Sequence, residues 1–357
     1  MGSAPSFLPY SVCQFQHRSS YVSIVSQSYT NVKYFFTKIS RNMRKKNNLP
    51  KLIVVLGPTG SGKTGLALEL CKKFNGEIIS ADSRQIYREM DIGTAKEGET
   101  ARISGKTVRI VQNIPQYMID IAEPGRDYTV GQFKKDVEEI IDFIIKRGKI
   151  PFLVGGTGLY IDAVVENFQF PDTVGAIHES PKLKNKELSE LVKMLLKKDP
   201  DAEFEVDLKN RRRVERALEV CLATGKPFTK QKTRGERKYN VLKLGIKQEK
   251  EELHKKINKR VKEMVEEGLL EEVEKLAKKY GWDNEAMTGI GYREFKEYFS
   301  DPEGNADPRS LRKAIEQIKI DTRRYAKRQM TWFKKDKEIN WVEKCKDAEG
   351  LVKKFLL

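Results

Sequence analysis

Leu52 to Thr64 reads LIVVLGPTGSGKT, and this stretch decides the fold. A short apolar, β-branched run empties into a glycine-rich turn that ends in Lys-Thr. Gly57 to Thr64 fits G-x-x-x-x-G-K-[ST], the spacing of a phosphate-binding loop. Its glycines, Gly57, Gly60 and Gly62, let successive N–H groups turn toward one anion. Pro58, Thr59 and Ser61 complete the cradle. Lys63 adds a point charge for terminal phosphates, and the Thr64 hydroxyl is placed to ligate Mg²⁺. The helix that follows lends its N-terminal dipole. By pattern alone this is an ATP- or other nucleotide-binding site. Which phosphate ester it holds is decided elsewhere in the chain.

Outward from the loop, strand and helix patterns alternate. Thr64 to Phe74 predicts a helix with Leu66, Leu70 and Phe74 on one face. A strand over Glu77 to Ser80 ends in Asp82-Ser83-Arg84-Gln85. Thr129 to Arg147 predicts an amphipathic helix capped by Thr129 and Gln132 and ended by Gly148. IPFLVGGTGLY, from Ile150, is the next strand and turn. Such alternation predicts a parallel sheet flanked by helices, with ligands at the carboxyl ends of its strands. From about Asp162 the character changes. Asn185 to Lys198 and Asn210 to Thr224 predict helices, so residues 162–235 are expected to form a helical insertion. Val241 to Ile246 returns as a strand. A charged helix over Glu251 to Tyr280 is expected to break near Gly268. Arg309 to Phe333 predicts a basic helix, and Glu338 to Val342 a last strand. The expected organisation is thus an extension over 1–48, a core over 49–161 and 236–345, the insertion, and a tail over 346–357.

The chain has 357 residues and a net charge of +17. Residues 1–50 hold seven Lys and Arg and no acid, so +10 remains in the body. An excess of that kind suggests a polyanionic partner such as nucleic acid. Four scattered cysteines, with no C-x-x-C and no Cys/His cluster, support neither a disulfide framework nor a zinc finger. No run of 18 apolar residues predicts a membrane span. The first acid of the chain is Glu69, and the Ser-, Tyr- and Lys/Arg-rich start resembles an organellar transit peptide. Met43 is the alternative start.

Several residues can carry chemistry. Asp82 directly follows an apolar strand on the rim of the phosphate loop, where a carboxylate serves as general base or binds Mg²⁺. Ser83, Arg84 and Gln85 supply a donor, a cation and an amide. Gly155-Gly156-Thr157-Gly158 is either a second backbone cradle or a tight turn. Arg212, Arg213 and Arg216 sit on one helix, either as phosphate clamps or as a solvated basic face. The loop Gly289-Ile290-Gly291-Tyr292-Arg293 suits base stacking and phosphate contact. TRRYAKRQMTW, from Thr322, interleaves basic and aromatic residues, as a nucleic-acid stripe or as an ordinary basic helix.

Together these motifs resemble the tRNA dimethylallyltransferases. The resemblance runs over about residues 51–343 and is carried by GPTGSGKT, ISADSRQIYREMDIGTAK from Ile79, DYTVGQF from Asp127, IPFLVGGTGLY, NRRRVERALEV from Asn210, GIGYREF from Gly289 and TRRYAKRQMTWF. It implies a P-loop NTPase-like α/β fold with a helical insertion that binds tRNA. The implied reaction moves a dimethylallyl group from dimethylallyl diphosphate to N6 of an adenine beside the anticodon, in tRNAs reading codons that begin with U. The loop Gly57 to Thr64 would then hold the leaving diphosphate, with Mg²⁺ on Thr64. Asp82 and Thr157 would be catalytic. Asp82, Ser83, Arg84, Gln85, Thr157, Arg212, Arg213, Arg216, Gly289, Gly291, Tyr292 and Arg293 would touch the tRNA, and Arg328 and Gln329 match the family's basic tail helix. A cytoplasmic monomer is expected, or a mitochondrial or plastid enzyme if residues 1–42 are a transit peptide. The sequence departs from the family at Gln116 and Tyr117, where histidines are usual, and at Glu97, where proline is common. The segment after Pro171 is short, so Lys182 or Lys184 would take over a phosphate contact there. The rival functions are an adenylate isopentenyltransferase acting on AMP, ADP or ATP, an ATP-dependent small-molecule kinase and a non-catalytic RNA-binding protein.

Overall fold

The computed structural model describes residues 49–170, 183, 185–231, 233–299 and 308–357. The extension over 1–48 and the contact expected of Lys182 or Lys184 lie outside the described residues. The strands are β1 (Lys51–Leu56), β2 (Gly76–Ala81), β3 (Glu99–Ile103), β4 (Lys106–Val111), β5 (Ile114–Tyr117), β6 (Ile150–Gly155), β7 (Phe168–Gln169), β8 (Thr233–Arg234), β9 (Asn240–Ile246) and β10 (Ile339–Val342). The helices are α1 (Lys63–Phe74), α2 (Val130–Lys146), α3 (Gly158–Val165), α4 (Leu188–Lys198), α5 (Ala202–Glu205), α6 (Arg211–Thr224), α7 (Lys250–Glu266), α8 (Leu269–Tyr280), α9 (Lys296–Phe299), α10 (Pro308–Phe333) and α11 (Cys345–Leu356).

Eight strands form one sheet in the order β10-β9-β1-β6-β2-β5-β4-β3. β1 lies near its centre because LIVVL is apolar on both faces. Leu52, Val54 and Leu56 point into one core with Phe133, Ile141 and Tyr160. Ile53 and Val55 point into the other with Leu70, Phe152 and Leu244. This period of two is what a buried central strand requires. Each such side chain contributes roughly 1.5–3 kcal/mol on burial. α2 closes the first face. It starts at the expected capping box, in which Thr129 Oγ1 accepts from Gln132 N and Gln132 Oε1 accepts from Thr129 N. α1 and α11 close the second face.

The structure corrects three expectations. The sheet is mixed, not purely parallel: β5, β4 and β3 form an antiparallel edge. Two-residue turns join them, Ser104-Gly105 and Gln112-Asn113, each with positive φ at both positions, as tight hairpins need. The boundary expected at residue 162 falls inside α3, whose Ile161, Val164 and Val165 pack in the sheet core. Of residues 346–357, expected as a tail, all but Leu357 lie within α11, which buries Ala348 and Val352.

Beyond the sheet, α4 to α6 enclose a separate apolar cluster around Leu191, Leu195, Val214 and Leu218. The β7–β8 ribbon connects this helical part to the sheet. α7 and α8 are two helices, and the break falls at Gly268, whose φ of 102° favours glycine. They cover the carboxyl ends of the strands with a third apolar cluster that includes Met287, Tyr292 and Phe295.

Candidate active site

Three loops leave the carboxyl ends of neighbouring strands and meet. The β1–α1 loop is the phosphate loop. Its left-handed residues are Gly60 (φ 80°) and Gly62 (φ 83°). Thr59, Gly60, Gly62, Lys63 and Thr64 line a cleft of about 530 Å³ that also takes in Asp82 and Gln85. Gly57, Pro58 and Ser61 lie behind that lining. Helix α7 forms the opposite wall with Lys256, Arg260 and Met264, and the chain after β2 adds Thr94 to Glu97.

Cations and carboxylates share the cleft: Lys63, Lys96, Lys256 and Arg260 line it together with Asp82, Glu97, Glu263 and Glu267. Among the described residues, Lys63, Lys256 and Arg260 have no ion-pair partner. The Lys63 ammonium reaches only the Pro58 carbonyl, at 3.4 Å. Burial lowers the Lys63 pKa to about 8; nearby Asp82 opposes this and Arg260 adds to it. Burial also lowers Arg260, against the attraction of Asp82 and Glu97. Lys63 and Arg260, desolvated and with no carboxylate in ion-pair contact among the described residues, are suited to an anion. Lys96, also in this wall, is different: it is fully buried and paired with Asp91 and Asp120.

Asp82 stands where β2 ends. Its Oδ1 accepts from Arg84 N at 2.9 Å, which fixes the carboxylate and leaves Oδ2 without a protein partner among the described residues. The β6–α3 loop lies beside it. Ser83 N donates to Thr157 Oγ1 at 3.2 Å, and Tyr325 of α10 lies beside the same threonine. Burial raises the Tyr325 pKa, and the charge on Asp82 pushes it further. Asp82, Ser83 and Thr157 are therefore brought together, and Asp82 lines the same cleft as the phosphate loop.

Other expected site residues are engaged differently. Arg84 clasps the Glu285 carbonyl and carboxylate and donates to Thr288 Oγ1 at 3.2 Å. Arg212 of α6 pairs with the same Glu285, which links the helical part to the rim. Gln85 accepts from Ser80 Oγ at 2.9 Å and donates to the Thr94 carbonyl at 3.2 Å, holding the cleft wall. Arg213 is exposed on α6, and Arg216 has Glu219 at 3.5 Å. Arg293 is exposed but paired with Glu294 and Asp321.

Tyr292 is a correction. Its ring is 1% exposed, so it cannot stack on a base. Its hydroxyl donates to Glu272 Oε1 at 2.7 Å, and Gly93 lies against the ring so closely that a Cβ there would stand 2.5 Å from it. Gly289 and Gly291 are buried with it and offer no surface to a ligand. Glu272 also accepts from the amides of Asp91, Ile92 and Gly93, at 2.8–3.0 Å. The aromatic that reads as a stacking platform is a bolt for the loop that carries the cleft wall.

A family model described as IPP transferase matches residues 85–336. The chain belongs to the IPP transferase family. It is 43% identical over 312 residues to the tRNA dimethylallyltransferase of Halothermothrix orenii, covering 84% of this chain and 90% of that protein. It is 41% identical to the enzyme of the same name from Acetivibrio thermocellus, covering 83% and 92%. Among solved structures, the tRNA isopentenylpyrophosphate transferase of Bacillus halodurans matches with a TM-score of 0.61 and 35% identity, over 86% of this chain and 96% of that one. A eukaryotic dimethylallyltransferase described as acting on tRNA matches with a TM-score of 0.68 and 28% identity, over 82% and 74%. Within this IPP transferase, Arg260 and Lys256 are the site residues that sequence reasoning missed. Their only signal is a basic residue every four positions on the helix that follows β9.

Proposed function

We propose that this IPP transferase moves a dimethylallyl group from dimethylallyl diphosphate to N6 of the adenine beside the anticodon, in tRNAs reading codons that begin with U. The observation that carries the reading is Asp82, fixed by Arg84 N at 2.9 Å, in one cleft with the unpaired cations Lys63 and Arg260. The donor's diphosphate would lie on the phosphate-loop amides with Lys63 and Arg260 about it. Its allylic C–O bond breaks, the leaving oxygens gain charge, and the desolvated cations stabilise them. The adenine N6 lone pair forms the new N–C bond. The proton that N6 must lose passes to the free Oδ2 of Asp82. Thr157 and Tyr325 hold the neighbouring edge of the site. The adenine has to leave the anticodon stack to reach Asp82, at a cost that contacts within the site offset.

Thr64 lines the same cleft as the cations, and its hydroxyl fits Mg²⁺, an ion commonly held by one or two protein oxygens plus phosphate oxygens. When bound, it would neutralise charge on the diphosphate. Exposed Arg213 and the basic face of α10 suit the phosphates of the tRNA. The enzyme would act as a monomer in the cytoplasm, or in a mitochondrion or plastid if residues 1–42 are a transit peptide. Among the described residues no helix is long and apolar enough to cross a membrane.

The test mixes the protein, Mg²⁺ and labelled dimethylallyl diphosphate with either tRNA or AMP. Label is expected in tRNA at adenine N6. Label in AMP but not in tRNA would favour the adenylate enzyme instead, and ATP consumption without prenyl transfer would favour a kinase.

A further inference from the structure

Helix α10 lays one stripe of side chains, four and three residues apart, along the site: Tyr325 on Thr157, Gln329 on both loops, and Trp332 on Asp162. Gln329 is the middle of the three and is 6% exposed. Its Oε1 accepts from Thr59 N in the phosphate loop at 2.9 Å. Its Nε2 donates to the Gly156 carbonyl in the β6–α3 loop at 2.8 Å. β1 and β6 are paired up to Leu56 and Gly155, and past that point the ladder no longer holds the two chains together. Gln329 takes over there. The contact is tight: a Cβ on Gly156 would stand 2.2 Å from the Gln329 amide nitrogen. Glycine at 156 is what lets the loop come this close.

We propose that Gln329 is a positioning residue for the transfer. Its carboxamide sets the separation between the loop that holds the donor's diphosphate and the loop that carries Thr157 beside Asp82. This rests on the reading of Gly57 to Thr64 as the donor site. Only a side chain that accepts on one edge and donates on the other can join an amide N–H to a carbonyl across this gap. Alanine does neither, and an ionised carboxylate meets the Gly156 carbonyl oxygen with a second acceptor. The reacting carbon and the amine must approach to about 3–3.5 Å, and a misplacement of about 1 Å costs on the order of 10²-fold in rate.

The test is a double-variant cycle in the full chain, assayed with tRNA and dimethylallyl diphosphate. Gln329→Ala is expected to lower kcat on the order of 10²-fold while tRNA affinity stays as in the parent. Gly156→Ala, which pushes on the same amide, should lower kcat similarly. In the Gln329→Ala background the added methyl has no amide to strike, so the double variant should be no slower than Gln329→Ala alone. Gln329→Glu gives a separate readout. It should be poorly active at about pH 8 and recover relative to the parent as pH falls, because a protonated carboxyl again both donates and accepts. Independent, multiplying losses from Gly156→Ala and Gln329→Ala, or a parental kcat in both Gln329 variants, would overturn the proposal. Lys63→Ala separates it from the reading beneath it. If that variant leaves the donor KM unchanged, the donor-site reading fails. If it raises the donor KM while the Gln329 variants turn over normally, only the positioning role fails.

Discussion

At the scale of single residues, the site turns on how Asp82 and Lys63 are charged. Asp82 has one oxygen committed to Arg84 N and one facing the cleft. Replacing it by Asn keeps the accepting oxygen and removes the base. Asp82→Asn should therefore lose about 10²–10⁴ in turnover with tRNA affinity intact, measured by single-turnover transfer and filter binding. Lys63 makes a pH prediction. Its pKa is held near about 8 by burial, so the free enzyme loses this charge as pH rises through that value. The protonated form is the one that attracts a diphosphate. The kcat/KM for the donor should fall above about pH 8, and Lys63→Arg should remove that fall, since arginine stays charged. The phosphate loop and Asp82 were legible in the sequence because each is a local pattern beside an apolar strand. Arg260 was not, and Gln329 was marked only as part of a basic tail helix, because both reach the loop from helices nearly 200 residues or more away in sequence. Tyr292 misled for a related reason. A tyrosine directly after Gly-Ile-Gly reads as exposed until Glu272, 20 residues earlier, is seen to hold its hydroxyl.

At the scale of elements, periodicity carried most of the reading. The helix over Val130–Lys146 is encoded by its capping box and its apolar stripe, and both appear in the structure. Thr129→Ala removes the acceptor for Gln132 N and should lower stability by about 1 kcal/mol in chemical denaturation. Strand β3 escaped detection because it is largely exposed at the sheet edge, and β4 beside it buries only Val108 and Val111. β3 runs through polar and half-exposed residues, with no apolar alternation to give it away. Helix α11 was missed for a different reason. Its apolar residues cover the flank of the sheet over α1, and nothing nearby in sequence marks that contact. The Glu272 carboxylate accepts from three consecutive amides and one hydroxyl. Glu272→Gln would turn an amide N–H₂ toward these donors. A loss of about 1–3 kcal/mol and faster proteolytic cutting near Asp91–Glu97 are the expected results.

At the scale of the whole molecule, charge and architecture agree. A body with a net charge of +10 presents exposed Arg213 on α6 and Lys327 and Arg328 on α10, beside a cleft that buries its own cations. Binding of tRNA should weaken steeply with salt, and Arg213→Ala should reduce the slope of log K against log salt by about one. The same substitution should leave the donor KM alone, because Arg213 does not line the cleft. What the molecule does with its phosphate loop is the central claim: the loop holds a diphosphate that leaves, and no nucleoside triphosphate is consumed. The most direct measurement is diphosphate release during prenylation of tRNA, with no ATP present. One diphosphate per adenine modified, at full rate and shifted to higher donor concentration by Lys63→Ala, is the predicted result. A requirement for ATP, or orthophosphate as the released product, would contradict it.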